Sequence, residues 1–518
     1  MLTSMPDAIV IGAGPNGLVA ANVLADAGWS VEVLEAQERP GGAVKSSELV
    51  EPGFTSDEFS AFYPLGGASP ALRKLELERY GLRWAHAPLA LAHPAVDGSC
   101  VVLSRDLDET AASLETFAAG DGRAWRELYA LWQRVGDLLL DGLVTPFPPV
   151  GVVARLALRL RRDLPDFGRF ALLPVRRLGD ERFDGEGGPR LLAGNAMHTD
   201  LLPESSLGGF FGWLLACLGQ SVGYPCVEGG ASGLTNALVR RLEERRGQVT
   251  CGARVDEIVV RAGRAVGVRS RLGEAAADRA VLADVHAVPL YLDLLSREHV
   301  PARILRQIER FEHDPATLKV DWSLDAPIPW ATEDTRRASV VHVAESVDEL
   351  SVTQHELARG VLPTNPFLVM GQYSQADPSR MPAGKEVAWA YTHLPQRVEP
   401  GDLAERMEAR VEALAPGFRD LIRGRHVTTP ADFEAADENL PGGALSGGTS
   451  QLHQQLVFRP VPGLGRPETH VKGLYLCSAS AHPGGGVHGG PGAIAARAAL
   501  RKLRPLRRSR DTRASRPS

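Results

Sequence analysis

The feature that most constrains this chain lies near its start. Residues 7–12 read DAIVIG, a short apolar run rich in branched side chains that suits a buried parallel strand. Gly12, Gly14 and Gly17 follow in GAGPNG, with Pro15 and Asn16 between the last two glycines. Residues 18–27 are rich in Ala, Val and Leu and read as a helix stopped by Gly28, and residues 31–34 read as a second strand that ends in Glu35. Each part has a physical task. The first glycine permits a tight turn, the second lets backbone approach a pyrophosphate, and the third lets helix and strand pack closely. The helix N-terminus offers free N–H groups and the positive end of a dipole to the phosphates. Glu35 lies 18 residues beyond Gly17, near the spacing of a carboxylate that holds both ribose hydroxyls. A carboxylate there repels a 2′-phosphate, which disfavours NADP. The glycines alone are a weak signal. Strand, helix and acid together select a Rossmann-like dinucleotide seat over a chance glycine turn.

Two further glycine-rich segments need placing. Glu35 is followed by Ala36 and then by Gly41, Gly42 and Ala43, where backbone can again approach a dinucleotide. Residues 472–499 read KGLYLCSASAHPGGGVHGGPGAIAARAA, with a short strand expected over 473–477 and a helix over 493–503. Gly484, Gly486 and Gly489 repeat the GxGxxG spacing, but only 29 residues follow, the last 18 of them a basic tail. A second strand and ribose acid are not among them, so these glycines are expected to pack against a ligand held elsewhere.

These segments resemble the FAD-dependent amine oxidase and phytoene desaturase superfamily. Its fingerprint joins a GxGxxG, a Glu and a GG doublet, and its phytoene desaturase-like members end in a stretch of the form GLYLCGAS-HPGGGV-G-PG. Residues 458–464, FRPVPGL, match that family as well. The chain departs from it at Ala43, where Arg is usual, at Ser478, where Gly is usual, and at His488, where a small polar residue is usual. The resemblance implies FAD as cofactor, with contacts at Gly12, Gly14, Pro15, Asn16, Gly17, Glu35, Ala36, Gly41, Gly42, Ala43, Val255, Ala479, Gly486 and Val487. It implies that the C-terminal stretch wraps the flavin and opens a helix aimed at the isoalloxazine. It also places residues 252–255, GARV, beside the adenine; by spacing alone they are equally a plain core strand.

The expected fold class is α/β: a Rossmann-like FAD-binding domain with an inserted α+β substrate-binding domain and helical cap. The FAD-binding part is discontinuous, over 1–75, 225–290 and 465–503; residues 76–224 and 291–464 form the substrate-binding and cap part, and 504–518 a basic, disordered tail. Residues 256–260 and 265–268, joined by Ala262 and Gly263, read as a β-hairpin returning to the main sheet. Residues 205–227 are uncharged, but Gly208, Gly209 and Gly212 break their apolar heart, so they read as a buried wall rather than a membrane span. Residues 150–177 carry seven arginines among Val, Leu and Phe. Two readings stand: a solvated helix face over the substrate cavity, or a surface in peripheral contact with an anionic membrane.

With 518 residues the chain suits about three structural units, and its 44% hydrophobic and 23% charged residues exclude disorder, collagen and coiled coil as whole-chain readings. A net charge of -6 argues against a nucleic-acid partner. Five scattered cysteines and no HExxH leave no expected disulfide framework or metal site. Residues 1–6 are too short and polar for a secretory signal, and a cytoplasmic location, or one peripheral to the membrane, is the expectation.

The chemistry follows from the flavin, which accepts a hydride at N5. The substrate expected is a hydrophobic small molecule, a polyene or lipid; the sequence does not give the electron acceptor, for which oxygen and a quinone are the candidates. His488, His482 and Tyr63 are the acid–base candidates, each with a structural role as the alternative. An isomerase without net oxidation, an amine oxidase and a lipid-binding escort protein are the competing readings; the intact glycine segments argue against the last.

Overall fold

Ala8–Ile11 forms the first strand, and all four residues are buried, as a strand covered on both faces requires. It lies at the centre of a five-stranded parallel sheet. Its neighbours are Val31–Leu34, in register Ala8 with Val31, and Ala280–Ala283, in register Ala8 with Ala280. Gln248–Thr250 and Leu474–Leu476 form the edges. Five short segments spread from residue 8 to residue 476 thus make one sheet. The computed structural model describes residues 5–502, so the reading of 504–518 lies outside it.

The first helix is Pro15–Asp26, starting three residues before the expected boundary. Proline supplies a fixed φ and lacks only an N–H that the first turn leaves unpaired anyway, so the helix extends back to it. The C-terminal helix, Gly490–Lys502, likewise begins before residue 493. The expected hairpin forms as Val255–Arg261 paired with Arg264–Ser270, but it does not rejoin the main sheet. Its second strand pairs instead with Gly273–Ala276, making a separate three-stranded antiparallel sheet. The chain re-enters the parallel sheet only afterwards, at Ala280–Ala283. The solvent-facing residues of Gly273–Ala276 gave no apolar alternation to announce a third strand.

A seven-stranded mixed sheet forms the second layer, in the order Ile422–Thr428, Ala316–Leu324, Glu386–Leu394, Leu368–Gln372, Ala338–Val343, Leu89–Pro94 and Cys100–Leu103. Only the pairing of Ala338–Val343 with Leu89–Pro94 is parallel. Six helices between residues 121 and 222 cover this layer, and one apolar core joins them to it through Trp125, Trp132, Leu191, Trp213, Val340 and Val369. Gly208–Val222 is the buried wall expected; Trp213, Ala216, Cys217 and Leu218 are fully buried. Among the described residues no helix is long and apolar enough to cross a membrane.

The arginines of 150–177 mostly face neighbouring acids: Arg155 with Asp141, Arg159 with Asp137, Arg169 and Arg177 with Glu181, and Arg176 with Glu204 and Asp348. Val150, Val153, Leu158 and Leu172 point outward instead.

A buried ionic cluster ties the layers together. Arg380 reaches Asp57 Oδ2 at 2.8 Å, Asp377 Oδ2 at 2.9 Å and the Val227 carbonyl at 2.6 Å. Tyr373 donates to the same Asp57 oxygen, and Asp57 Oδ1 accepts the Ala231 N–H at 2.7 Å. Beside it, Lys319 Nζ donates to the Asp57 carbonyl at 2.9 Å and to Asp321. The cluster is fully buried and carries its own hydrogen bonds, the condition under which buried charge is tolerated.

Candidate functional site

The N-terminal glycines are required by close packing. Gly12 has φ +91°, and a Cβ there would lie 2.7 Å from the Asp284 carbonyl oxygen; one on Gly17 would lie 2.2 Å from the Gly12 carbonyl oxygen. Gly14 is the cap of the first helix, and Pro15, Asn16 and Gly17 form its first turn. The Gly41 N–H donates to the Ala13 carbonyl at 2.9 Å, and Gly42 packs on the Gly14 Cα, so the doublet at 41–42 closes one side of the same turn. Glu35 accepts the Ala13 N–H at 2.7 Å and the Gln37 N–H at 2.9 Å, which fixes its carboxylate at the strand end. The Ala253 N–H donates to the Glu35 carbonyl at 2.8 Å, placing the segment that leads to Val255 beside it. Ala36 is exposed at the rim, and the Ala43 carbonyl accepts the Ser60 hydroxyl.

The C-terminal glycines meet this turn. A Cβ on Gly492 would lie 1.9 Å from the Asn16 carbonyl oxygen, and one on Gly489 would lie 2.6 Å from Val19. The N-termini of the first and last helices are therefore packed face to face. Gly486 lies against Leu65, and the Val487 carbonyl lies over Gly66. Ser69 donates to the His488 carbonyl at 2.6 Å. The Ala479 carbonyl accepts two hydrogen bonds from the buried Arg459, which also donates to the Ser446, Gly447 and Thr449 carbonyls. Burial lowers this guanidinium to about 10. The glycine turn, Glu35 and the Gly41–Gly42 doublet thus meet at the ends of the parallel strands, and the segment that opens the last helix packs on the same turn.

The three acid–base candidates have structural partners or surroundings. His488 Nδ1 accepts the Gly490 N–H at 3.0 Å, capping the last helix, and burial lowers its imidazole to about 4. His482 packs edge-on against Phe147, its Nε2 without a partner, and burial lowers it to about 4. Tyr63 donates to the Ser60 carbonyl at 2.7 Å, and burial holds its hydroxyl well above the ordinary value.

Other groups were not singled out from sequence. Asp284 lies buried beneath the glycine turn, and Asp437 faces Gly42 across it. His198 meets His342 through their Nε2 atoms at 2.9 Å, with His93 edge-on against His342. Desolvation lowers His198 to about 4. These contacts join residues far apart in the chain and leave no local pattern, although the acid closing the VLAD run at 281–284 is a strand-end signal like Glu35.

The turn carries the elements of a dinucleotide seat. Glycines replace side chains wherever backbone must be approached, Asn16 Oδ1 is buried without a partner at the helix N-terminus, and a fixed carboxylate stands at the second strand end. Comparison with known proteins agrees. A family model described as an NAD(P)-binding Rossmann-like domain matches residues 10–75. The chain is 28% identical to the pyridine nucleotide-disulfide oxidoreductase domain-containing protein 2 of Mus musculus, over 95% of this chain and 92% of that one. It is 26% identical to the hydroxyneurosporene desaturase of Cereibacter sphaeroides, over 93% of this chain and 94% of that one. The fold is shared with the cyclohexylamine oxidase of Brevibacterium oxydans, at a TM-score of 0.61 and 16% identity, over 96% of this chain and 100% of that one. Convergent glycine segments, strand-end carboxylate and similarity over nearly the whole length lead to one conclusion: the chain is an oxidoreductase similar to the carotenoid desaturases, with a fold shared with cyclohexylamine oxidase.

Proposed function

We propose that this protein is an FAD-dependent dehydrogenase or desaturase that removes hydride from a hydrophobic substrate. The observation that carries the reading is the packing of Gly492 on Asn16, which brings the two glycine-rich ends into contact. Bound there, FAD supplies the hydride acceptor. The chain's own groups do the rest. The first helix N-terminus and Gly12, Gly14 and Gly17 hold the pyrophosphate, and Glu35 holds the ribose. Residues 479–487, fixed by Arg459, lead into the segment that packs on the same turn. The helical cover and its tryptophan-rich core keep water from the substrate side. Burial keeps the His198 imidazole neutral near pH 7 and disfavours its protonation, and its Nε2 is engaged with His342. A desaturase among the relatives supports an apolar substrate.

Anaerobic incubation with polyene and other lipid candidates tests this. Bleaching of the flavin absorbance and a product lighter by two hydrogens are the expected results. A product of unchanged mass identifies an isomerase instead, and a protein that takes up no flavin on reconstitution contradicts the reading altogether.

A further inference from the structure

Asp284 occupies an unusual position for an acid. It follows the Ala280–Ala283 strand and lies directly under the glycine turn, 5% exposed. Its Oδ2 accepts the Gly17 N–H at 2.8 Å, and a Cβ on Gly14 would lie 2.8 Å from the same oxygen. The first helix has no acid in its first turn and no side-chain cap of its own, so this carboxyl caps it from another strand. The groups around Asp284 do not neutralise it. Glu35 faces it from the end of the second strand, and Asp437 from the loop after the Pro430–Ala436 helix. The Cys477 thiol faces it from the C-terminal strand. Asn439 donates to its backbone carbonyl at 2.9 Å. His286, two residues on, is held neutral by burial, with its Nδ1 accepting the Val288 N–H. The cation of this region, Lys45, acts on Asp437, and Asp284 has no ion pair among the described residues.

A helix N-terminus that receives a pyrophosphate receives two negative charges. An ionised carboxylate bonded to that same turn draws on the same positive dipole end and repels the incoming anion. A neutral carboxyl keeps the Gly17 hydrogen bond without the repulsion. We propose that Asp284 is the proton-binding member of the dinucleotide seat, neutral whenever the pyrophosphate is in place, so that loading the cofactor from alkaline solution takes up one proton. The inference rests on the FAD reading above and adds to it a residue that sets the conditions of loading. Burial raises the Asp284 carboxyl to about 8; the Gly17 N–H opposes this, and Asp437 and Glu35 reinforce it. The bound anion raises it further, so affinity is greatest below that value and is lost as pH rises through it.

Titration calorimetry of the flavin-free full chain with FAD, in buffers of differing ionisation heat, reads both affinity and proton uptake. The expected result is weakening of about tenfold between about pH 6 and about pH 9, with uptake rising from near zero to near one proton per FAD. Asp284→Asn is expected to bind with affinity flat to within about twofold over that range, without uptake. A pH-independent wild type with no proton uptake overturns the proposal, and needs no variant to do so. So does an Asp284→Asn protein that keeps the wild-type slope, which assigns the proton to Glu35 or Asp437. Absence of FAD binding at every pH removes the FAD reading itself, and is distinguishable because no heat is then measured.

Discussion

Gly492 shows how much a single hydrogen in place of a methyl group can decide. Its Cα lies so near the Asn16 carbonyl that alanine cannot fit without moving one helix off the other. Gly492→Ala is therefore expected to cost about 1–3 kcal/mol, as overpacking does, with a matching fall in flavin retained per chain; thermal unfolding and absorbance of the purified variant measure the two together. Asp284 gives the second residue-scale prediction. Its carboxyl is raised in the folded state, so its contribution is fully favourable only below the unfolded value and declines as pH rises towards about 8. In the flavin-free protein, Asp284→Asn should be the more stable form near neutral pH, by a few kcal/mol at most, and the advantage should vanish near pH 4. Denaturant titration at both pH values is the check; a variant that is less stable at neutral pH contradicts it. Glu35 was legible from sequence because its spacing from the glycines is local. Asp284 was not, because its partner Gly17 lies 267 residues away.

Elements were legible where one physical cue dominates. A buried parallel strand needs consecutive apolar residues, and 8–11 and 31–34 supply them. Helix starts were placed late because the pattern of apolar residues begins after the turn that caps them, whereas Pro15 and Gly490 already have helical backbone. The hairpin at 255–270 was read correctly as a pair and wrongly as part of the main sheet, since strand pairing beyond the turn is not encoded locally. The C-terminal segment depends on an element-scale support that no motif announces. Arg459 satisfies four backbone carbonyls from within the core. Lysine cannot match that planar fork, and burial that lowers the arginine would neutralise it. Arg459→Lys is expected to lose about 2–4 kcal/mol of stability and to loosen the 479–487 wall, seen as a lower unfolding midpoint and faster hydrogen exchange at Ala479 to Val487.

For the molecule as a whole, the sequence spoke clearly about the two ends and faintly about the middle. The seven-stranded sheet and its helical cover have no signature of their own; they are held by packing among tryptophans and by charge pairs remote in the chain. The Asp57–Arg380–Asp377 cluster joins the segment after the dinucleotide turn to the second layer. Removing its cation leaves two buried carboxylates without their counter-charge, so Arg380→Met is expected to destabilise the chain by about 3–5 kcal/mol. Unfolding followed at once by tryptophan fluorescence and by flavin release should show both lowered together; loss of one without the other would mean that the layers are not coupled through this cluster. The account stands on a single seat shared by both ends of the chain. Titration with FAD of the wild type, Gly14→Val and Gly492→Val, each confirmed folded by circular dichroism, tests it directly. The account predicts one FAD per wild-type chain and weakening of at least about a hundredfold in either variant, a loss of about 2.7 kcal/mol. Two FAD per chain, or full affinity in either variant, would contradict it.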